Sequence, residues 1–319
     1  MPFIAVFGVQ FNDVGLTIFL AALNVGLIAQ LLRAASQREF LHLTKTQRCI
    51  LVLFFALGTV HITLAPFGRV WQTGQLMGFA CIILAYWAAF SFKGGKAWFL
   101  TGLALSAAML TRNQLVLTGI FPAVYLLFQE KPWHWSPVIR NLALAALPLI
   151  AGLTFLLYYN QSRFGNPFDN GLAYHQMADF FLADYAKYGA FNLHYVPINI
   201  YYQYIFYPLP LRSESAMGGS LFLLSPLFIG AFTAFRKPRL AWAGWALLSS
   251  ILVTNVPILL LMGTGWVQYG PRYTLDFTVP LLLLTALGIE KWKTSLSFVL
   301  TISSIVQYWF GIKFLISSL

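Results

Sequence analysis

Acidic residues are scarce: nine Asp and Glu stand against twenty Lys and Arg in 319 residues, and charged residues of both signs make up 9% of the chain. A soluble domain carries about 25%, so this chain cannot cover a water-facing surface. A hydrophobic share of 59% and a mean hydropathy of +0.72 place it in a membrane. The net charge of +11 would suit a nucleic-acid surface, but no run of Lys and Arg supports one. The cations sit singly or in small groups at the ends of apolar segments, as the positive-inside bias requires. Cysteine is nearly absent. Cys49 and Cys81 have no metal or redox spacing and read as small hydrophobes. A short cleavable hydrophobic segment behind a basic flank is also missing, which argues against a signal peptide. Neither an internal repeat nor a soluble domain is visible.

What the chain has in abundance is apolar length. The expected fold is all-α, a polytopic transmembrane helical bundle of about ten helices at 14–32, 50–66, 72–92, 98–110, 114–128, 138–158, 219–235, 241–262, 273–289 and 296–316. Residues 1–319 read as a single integral membrane domain with a polar, aromatic loop at about 159–217. One stretch is unusual. Residues 97–128 are an apolar run broken once, by Thr111-Arg112-Asn113. At about 1.5 Å per residue it is too long for one crossing of roughly 30 Å and too short for two. The expectation is a pair of half-length helices, 98–110 and 114–128, meeting at Arg112. Non-helical backbone at such a break is tolerated where it is buried in protein or lines a wet cavity, so it marks a binding site.

Charge bias tests the turn. If the chain doubles back at Arg112, thirteen Lys and Arg gather on one face, against six (Arg69, Arg112, Arg163, Lys187, Arg212 and Arg272) on the other. A single long tilted helix would reduce the contrast to ten against eight and leave Arg112 in mid-membrane, at a cost of about 2.5–3.5 kcal/mol. Doubling back is favoured. It places the amino terminus, Arg69, Arg112, the long loop and Arg272 on the non-cytoplasmic side of the cytoplasmic membrane.

Three short segments of that face share a composition. These are 66–72 with Arg69 and Trp71, 111–113 with Arg112 and Asn113, and 263–273 with Tyr269, Arg272 and Tyr273. Guanidinium forks suit phosphate oxygens, and Trp and Tyr suit headgroup depth. The expected cradle has Arg112, Arg272 and Arg69 on a donor phosphate, with Trp71, Asn113, Tyr269, Tyr273, Arg163 and Asp276 around the sugar. Taken singly, these residues also fit snorkelling arginines and an aromatic belt. Asp276, four residues after Arg272, reads either as an ion-pair and helix-dipole partner or as a carboxylate that orients Arg272 for phosphate. His175 with Asp169 and Asp179 is a candidate divalent-metal site, without a compact ligand motif. No catalytic residue can be assigned.

Four strings then carry a resemblance. LTGLALSAAMLTRN at 100–113 resembles the GLxxGLAxLTRP segment of membrane glycosyltransferases with the GT-C fold, Asn113 standing where they have Pro. YNQSRFGNPF at 159–168 is similar to their YNxxRFGxPF stretch. Pro271-Arg272-Tyr273 with Pro280 resembles PRYxLPxxP, and Gly58-Thr59-Val60-His61 with Gly68-Arg69-Val70-Trp71 also fits. The resemblance runs in order over most of the chain. It implies a GT-C-like bundle that transfers sugar from a polyprenyl-phosphate donor, with Arg112, Arg272 and Arg69 facing the phosphate and membrane lipids as surroundings. Family members begin with a further span and an outer loop bearing the catalytic acid, whereas here only 1–13 precedes the first span and Asp13 is its sole acid. The expectation is a truncated amino terminus or a partner chain that supplies it. A non-catalytic polyprenyl-phosphate-binding subunit, or a transporter or flippase of a lipid-linked solute, are the alternatives.

Overall fold

The computed structural model describes residues 8, 11–131, 134–169, 171, 174, 179–236, 241–263 and 267–317. All ten apolar segments are helical, and among the described residues seven helices are long and apolar enough to cross a membrane. The chain is thus a helical, membrane-embedded protein. Its long helices are α1 (Asp13–Gln37), α2 (Lys45–Leu57, continued by the short turn His61–Leu64), α3 (Val70–Ser91), α4 (Gly94–Thr111), α5 (Ile120–Gln129), α6 (Trp135–Phe164), α7 (Asp179–Tyr188), α8 (Ala241–Leu260), α9 (Thr278–Ile289) and α10 (Thr294–Ser317). Two of these helices are entered through 3-10 segments: Asn113–Gly119 leads into α5, and Arg272–Phe277 leads into α9.

The hairpin at Arg112 forms, but its legs are not half-length. Helix α4 begins at Gly94, ahead of the apolar run. The return leg gains length from its 3-10 turns, which rise about 2.0 Å per residue against 1.5 Å in an α-helix. Each leg therefore reaches roughly 27–29 Å, close to the thickness of the hydrocarbon. Arg112 is extended (φ −154°, ψ 116°) and forms the tip. Leu105 lies against Gly119 below the tip, and at the far end Trp98 Nε1 donates to Glu130 Oε1 at 3.2 Å. The chain does turn back on itself.

Other boundaries also move. Helix α6 runs on to Phe164 and stops at Gly165, whose φ of 71° glycine adopts without strain, so the loop begins later than 159. The span expected at 219–235 is instead a short helix, Leu221–Leu224, and a 3-10 helix, Pro226–Arg236. Pro226 has no N–H to donate and biases Ser225 away from the α region, so one regular helix cannot run through. Within the loop, α7 forms a separate ten-residue helix.

Burial sorts the helices. In Arg272–Ile289 nearly every residue is buried within the protein, whereas few are in the apolar part of Trp135–Phe164, so α9 is the central helix and α6 lies at the periphery. Between apolar helices in lipid, close approach of small residues replaces the hydrophobic drive of water. Gly102 and Ser106 of α4 pack on Ala145 and Gly152 of α6, with the Ser106 hydroxyl donating to Pro148 O at 2.7 Å. Gly288 of α9 sits on the backbone of Gly230. Polar side chains close several helix ends. Arg38 Nε donates to Phe90 O at 2.6 Å at the end of α3, Gln47 Nε2 to Ile289 O at 3.3 Å at the end of α9, and Asn199 Nδ2 to Leu259 O at 2.8 Å at the end of α8.

A β-carbon at Gly102 would collide with the backbone of Ala145, whereas one at Gly26 in α1 meets open space. Gly102→Val is expected to destabilise the fold by about 1–3 kcal/mol, and Gly26→Ala to leave it unchanged or raise it by up to ~1 kcal/mol. Unfolding midpoints of the two variants in the same detergent check both directions.

Candidate functional site

Three elements meet at the hairpin tip: the first turns of α3, the tip itself, and the 3-10 segment Arg272–Phe277. Asp276 is at their centre, its side chain 1% exposed. Arg112 Nη2 pairs with Asp276 Oδ2 at 3.1 Å. Gln114 Nε2 donates to the same oxygen at 3.1 Å, and Gln75 Nε2 to Oδ1 at 3.0 Å. Gln75 Nε2 also reaches Arg272 O at 2.9 Å. A carboxylate out of water costs several kcal/mol, which a close partner and further hydrogen bonds can offset. Asp276 has both. The exposed pair Arg212–Glu214, at 3.2 Å with side chains 56% and 38% exposed, contributes little by comparison.

The second guanidinium is differently placed. Arg272 Nη2 donates to Tyr273 OH at 3.2 Å, and its carbon lies 4.8 Å from the centre of that ring. Arg112 is 5.2 Å from the same ring centre, so the two guanidinium carbons are at most about 10 Å apart. Arg272 Nε is buried without a hydrogen-bond partner. Two cations and one carboxylate leave the cluster with an excess positive charge and a donor unused, which suits an anion. The backbone there is held by Gln268, whose Oε1 accepts from Arg272 N at 3.2 Å. Gln268 itself is anchored where Met217–Gly218 (β1) pairs in parallel with Gln268–Tyr269 (β2). Through that pair, the long loop fixes the approach to Arg272.

Arg112, Arg272, Tyr273 and Asp276 are therefore brought together as expected from sequence, but Asp276 serves Arg112 rather than Arg272. The helix type explains the exchange. With about 3.0 residues per turn, positions i and i+4 of a 3-10 helix point roughly 120° apart, whereas in an α-helix they share a face. The remaining candidates lie apart from this contact network. Arg69 lies 5.8 Å from the rings of both Phe67 and Trp71, and Trp71 is 54% exposed. Arg163 stacks on Tyr159 and Phe164, with Nη1 donating to Tyr159 OH at 2.9 Å. Tyr269 is fully buried against Tyr308 and Gly311. Asn113 opens the 3-10 turn and is exposed.

Sequence reasoning passed over Gln75 and Gln114. The available signal was amides inside apolar segments, which in a membrane seek partners on other helices. Of the metal candidates, His175 lies outside the described residues, and Asp169 Oδ1 accepts from Gly171 N at 2.8 Å. Among the described residues no group of three or more His, Cys, Asp and Glu could hold a metal ion. Residues 264–266 of the third arginine-bearing segment also lie outside the described residues.

Asp276→Ala is expected to destabilise the protein by about 2–4 kcal/mol, because it removes the buried acceptor of three donors and leaves the half-buried Arg112 without its partner. Adding Arg112→Met should recover a large part of that loss, a coupling that a double-mutant cycle of unfolding midpoints in detergent measures directly. Compared with known protein families, curated proteins and solved structures, the chain matches none.

Proposed function

We propose that the Arg112–Arg272 cluster binds the phosphate of a lipid-linked sugar, and that the chain is a polytopic glycosyltransferase of GT-C type using a polyprenyl-phosphate donor. One observation carries this reading: two guanidinium groups lie against a single tyrosine ring at the tip of a membrane hairpin, with one carboxylate paired to Arg112 and the Arg272 Nε free. Guanidinium pairs suit phosphate oxygens. A hairpin tip at one end of legs of about 27–29 Å sits at the depth of lipid headgroups.

The chemistry follows from charge. As the glycosidic bond to the phosphate breaks, negative charge grows on the departing oxygens, and cations already in place lower that barrier. Arg112 is held rigid by Asp276, whereas Arg272 keeps donor capacity for the ligand. The reaction also requires a carboxylate to take the proton of the acceptor hydroxyl. Asp276 is not that base, since three side chains already donate to it. This full engagement is also what favours a second reading, a non-catalytic protein that binds polyprenyl phosphate.

Arg112→Ala and Arg272→Ala are each expected to weaken binding of a polyprenyl-phosphate sugar by roughly 10–100-fold, the loss of one charge-assisted contact. A photoactivatable donor analogue crosslinked in purified membranes measures this, and unchanged crosslinking in both variants would sink the cradle. Transfer of radiolabelled sugar by the same membranes separates enzyme from binder. The tip is expected on the non-cytoplasmic face: Asn113→Cys should react with a membrane-impermeant maleimide from outside, and Glu130→Cys only after the membrane is opened.

A further inference from the structure

At the end of the bundle away from Arg112, α1 and α2 part to leave a groove of about 690 Å³. Its mouth carries Arg33, Lys45 and Arg48, and no carboxylate is among its lining residues. Among the described residues none of these three cations takes part in an ion pair. Below them the walls turn apolar, with Val25 and Ala29 on α1 facing Val52 and Ala56 on α2. From Arg33 back to Val25, and from Arg48 on to Ala56, the walls run eight residues, or about 12 Å of helix. Half of a roughly 30 Å hydrocarbon layer is close to that depth. A second groove of about 430 Å³, almost wholly apolar, lies across α2 against α10 and shares Cys49 and Leu53 with the first.

We propose that this is a binding site for an anionic diacyl phospholipid of the surrounding bilayer. The phosphate lies among Arg33, Lys45 and Arg48, one acyl chain follows the α1–α2 groove, and the other crosses Leu53 into the α2–α10 groove. Charge complementarity selects the headgroup: three unpaired cations at headgroup depth favour a lipid of net negative charge over a zwitterionic one, whose phosphate is offset by its own cation. Depth selects a lipid over a free anion, because the groove continues as apolar wall for about a leaflet below the cations. The site is independent of the Arg112 cluster, which lies at the opposite end of the bundle, and of the activity proposed for it.

Cys49 is exposed within the groove and Cys81 is buried, so the chain carries its own reporter. The full chain is purified in a mild non-ionic detergent, and maleimide alkylation of Cys49 is followed by peptide mass spectrometry. Dioleoylphosphatidylglycerol or dioleoylphosphatidylcholine is titrated in. The phosphatidylglycerol is expected to protect Cys49 and the phosphatidylcholine is not. In the triple variant Arg33→Gln, Lys45→Gln, Arg48→Gln the lipid needed for half-protection should rise on the order of 100-fold. Ala29→Phe, which keeps every cation and fills the apolar wall, should also remove protection, and unfolding midpoints verify that both variants are folded. Equal protection by the two lipids overturns the proposal, as does protection unchanged in both variants. Protection by inorganic phosphate alone would mean a free-anion site, and protection that follows protein rather than lipid concentration would mean a second copy of the chain; either result also overturns it.

Discussion

A single buried carboxylate ties together the hairpin end of this protein. Asp276, on the 3-10 segment that begins the central helix, receives three donors from two separated parts of the chain: Gln75 at the start of α3, and Arg112 and Gln114 at the hairpin tip. Without it, two arginines at most about 10 Å apart would be uncompensated, and the tip would lose the polar contacts that tie it to the 3-10 segment. With it, one guanidinium is neutralised and immobilised while its neighbour keeps capacity to spare. The cluster is therefore both a structural clasp and a site with an excess positive charge.

The hairpin can reach that clasp because of a change in helix type. Residues 113–119 adopt 3-10 geometry, which stretches the return leg and frees backbone at the tip. Gly78 of α3 sits directly against Thr111 and Leu115, so the tip packs on the helix that supplies Gln75. Close approach through a glycine and long-range donation from a glutamine thus act on the same pair of elements. At the opposite end Arg38, Gln47 and Asn141 perform simpler tasks, closing helix termini and engaging Glu130.

The two ends use cations in different ways. Around Asp276 the guanidinium groups are half-buried and oriented by polar partners. Between α1 and α2 the cations are more open, unpaired, and backed by an apolar wall. Orientation suits recognition of one particular phosphate, whereas exposure over a lipid-deep groove suits an abundant anionic lipid. Both arrangements follow from the same shortage of acid: with so few carboxylates in the chain, where one is placed decides which cations are neutralised and which remain unpaired.

The membrane setting, the order of the apolar segments, the turn at Thr111-Arg112-Asn113 and the grouping of Arg112, Arg272, Tyr273 and Asp276 at one end were all legible in the amino-acid order. They depend on composition, on hydropathy summed over a window, and on the cost of an arginine in mid-membrane, and each of these is local. Folding in three dimensions was needed to pair Asp276 with Arg112 and not with Arg272, to complete its shell with Gln75 and Gln114, and to pack Tyr269 on Tyr308. It also stacked Arg69 and Arg163 on neighbouring rings away from the cluster. The cause is geometric. A four-residue spacing means a shared face in an α-helix and a divergent one in a 3-10 helix, and residues 272–277 take the 3-10 form.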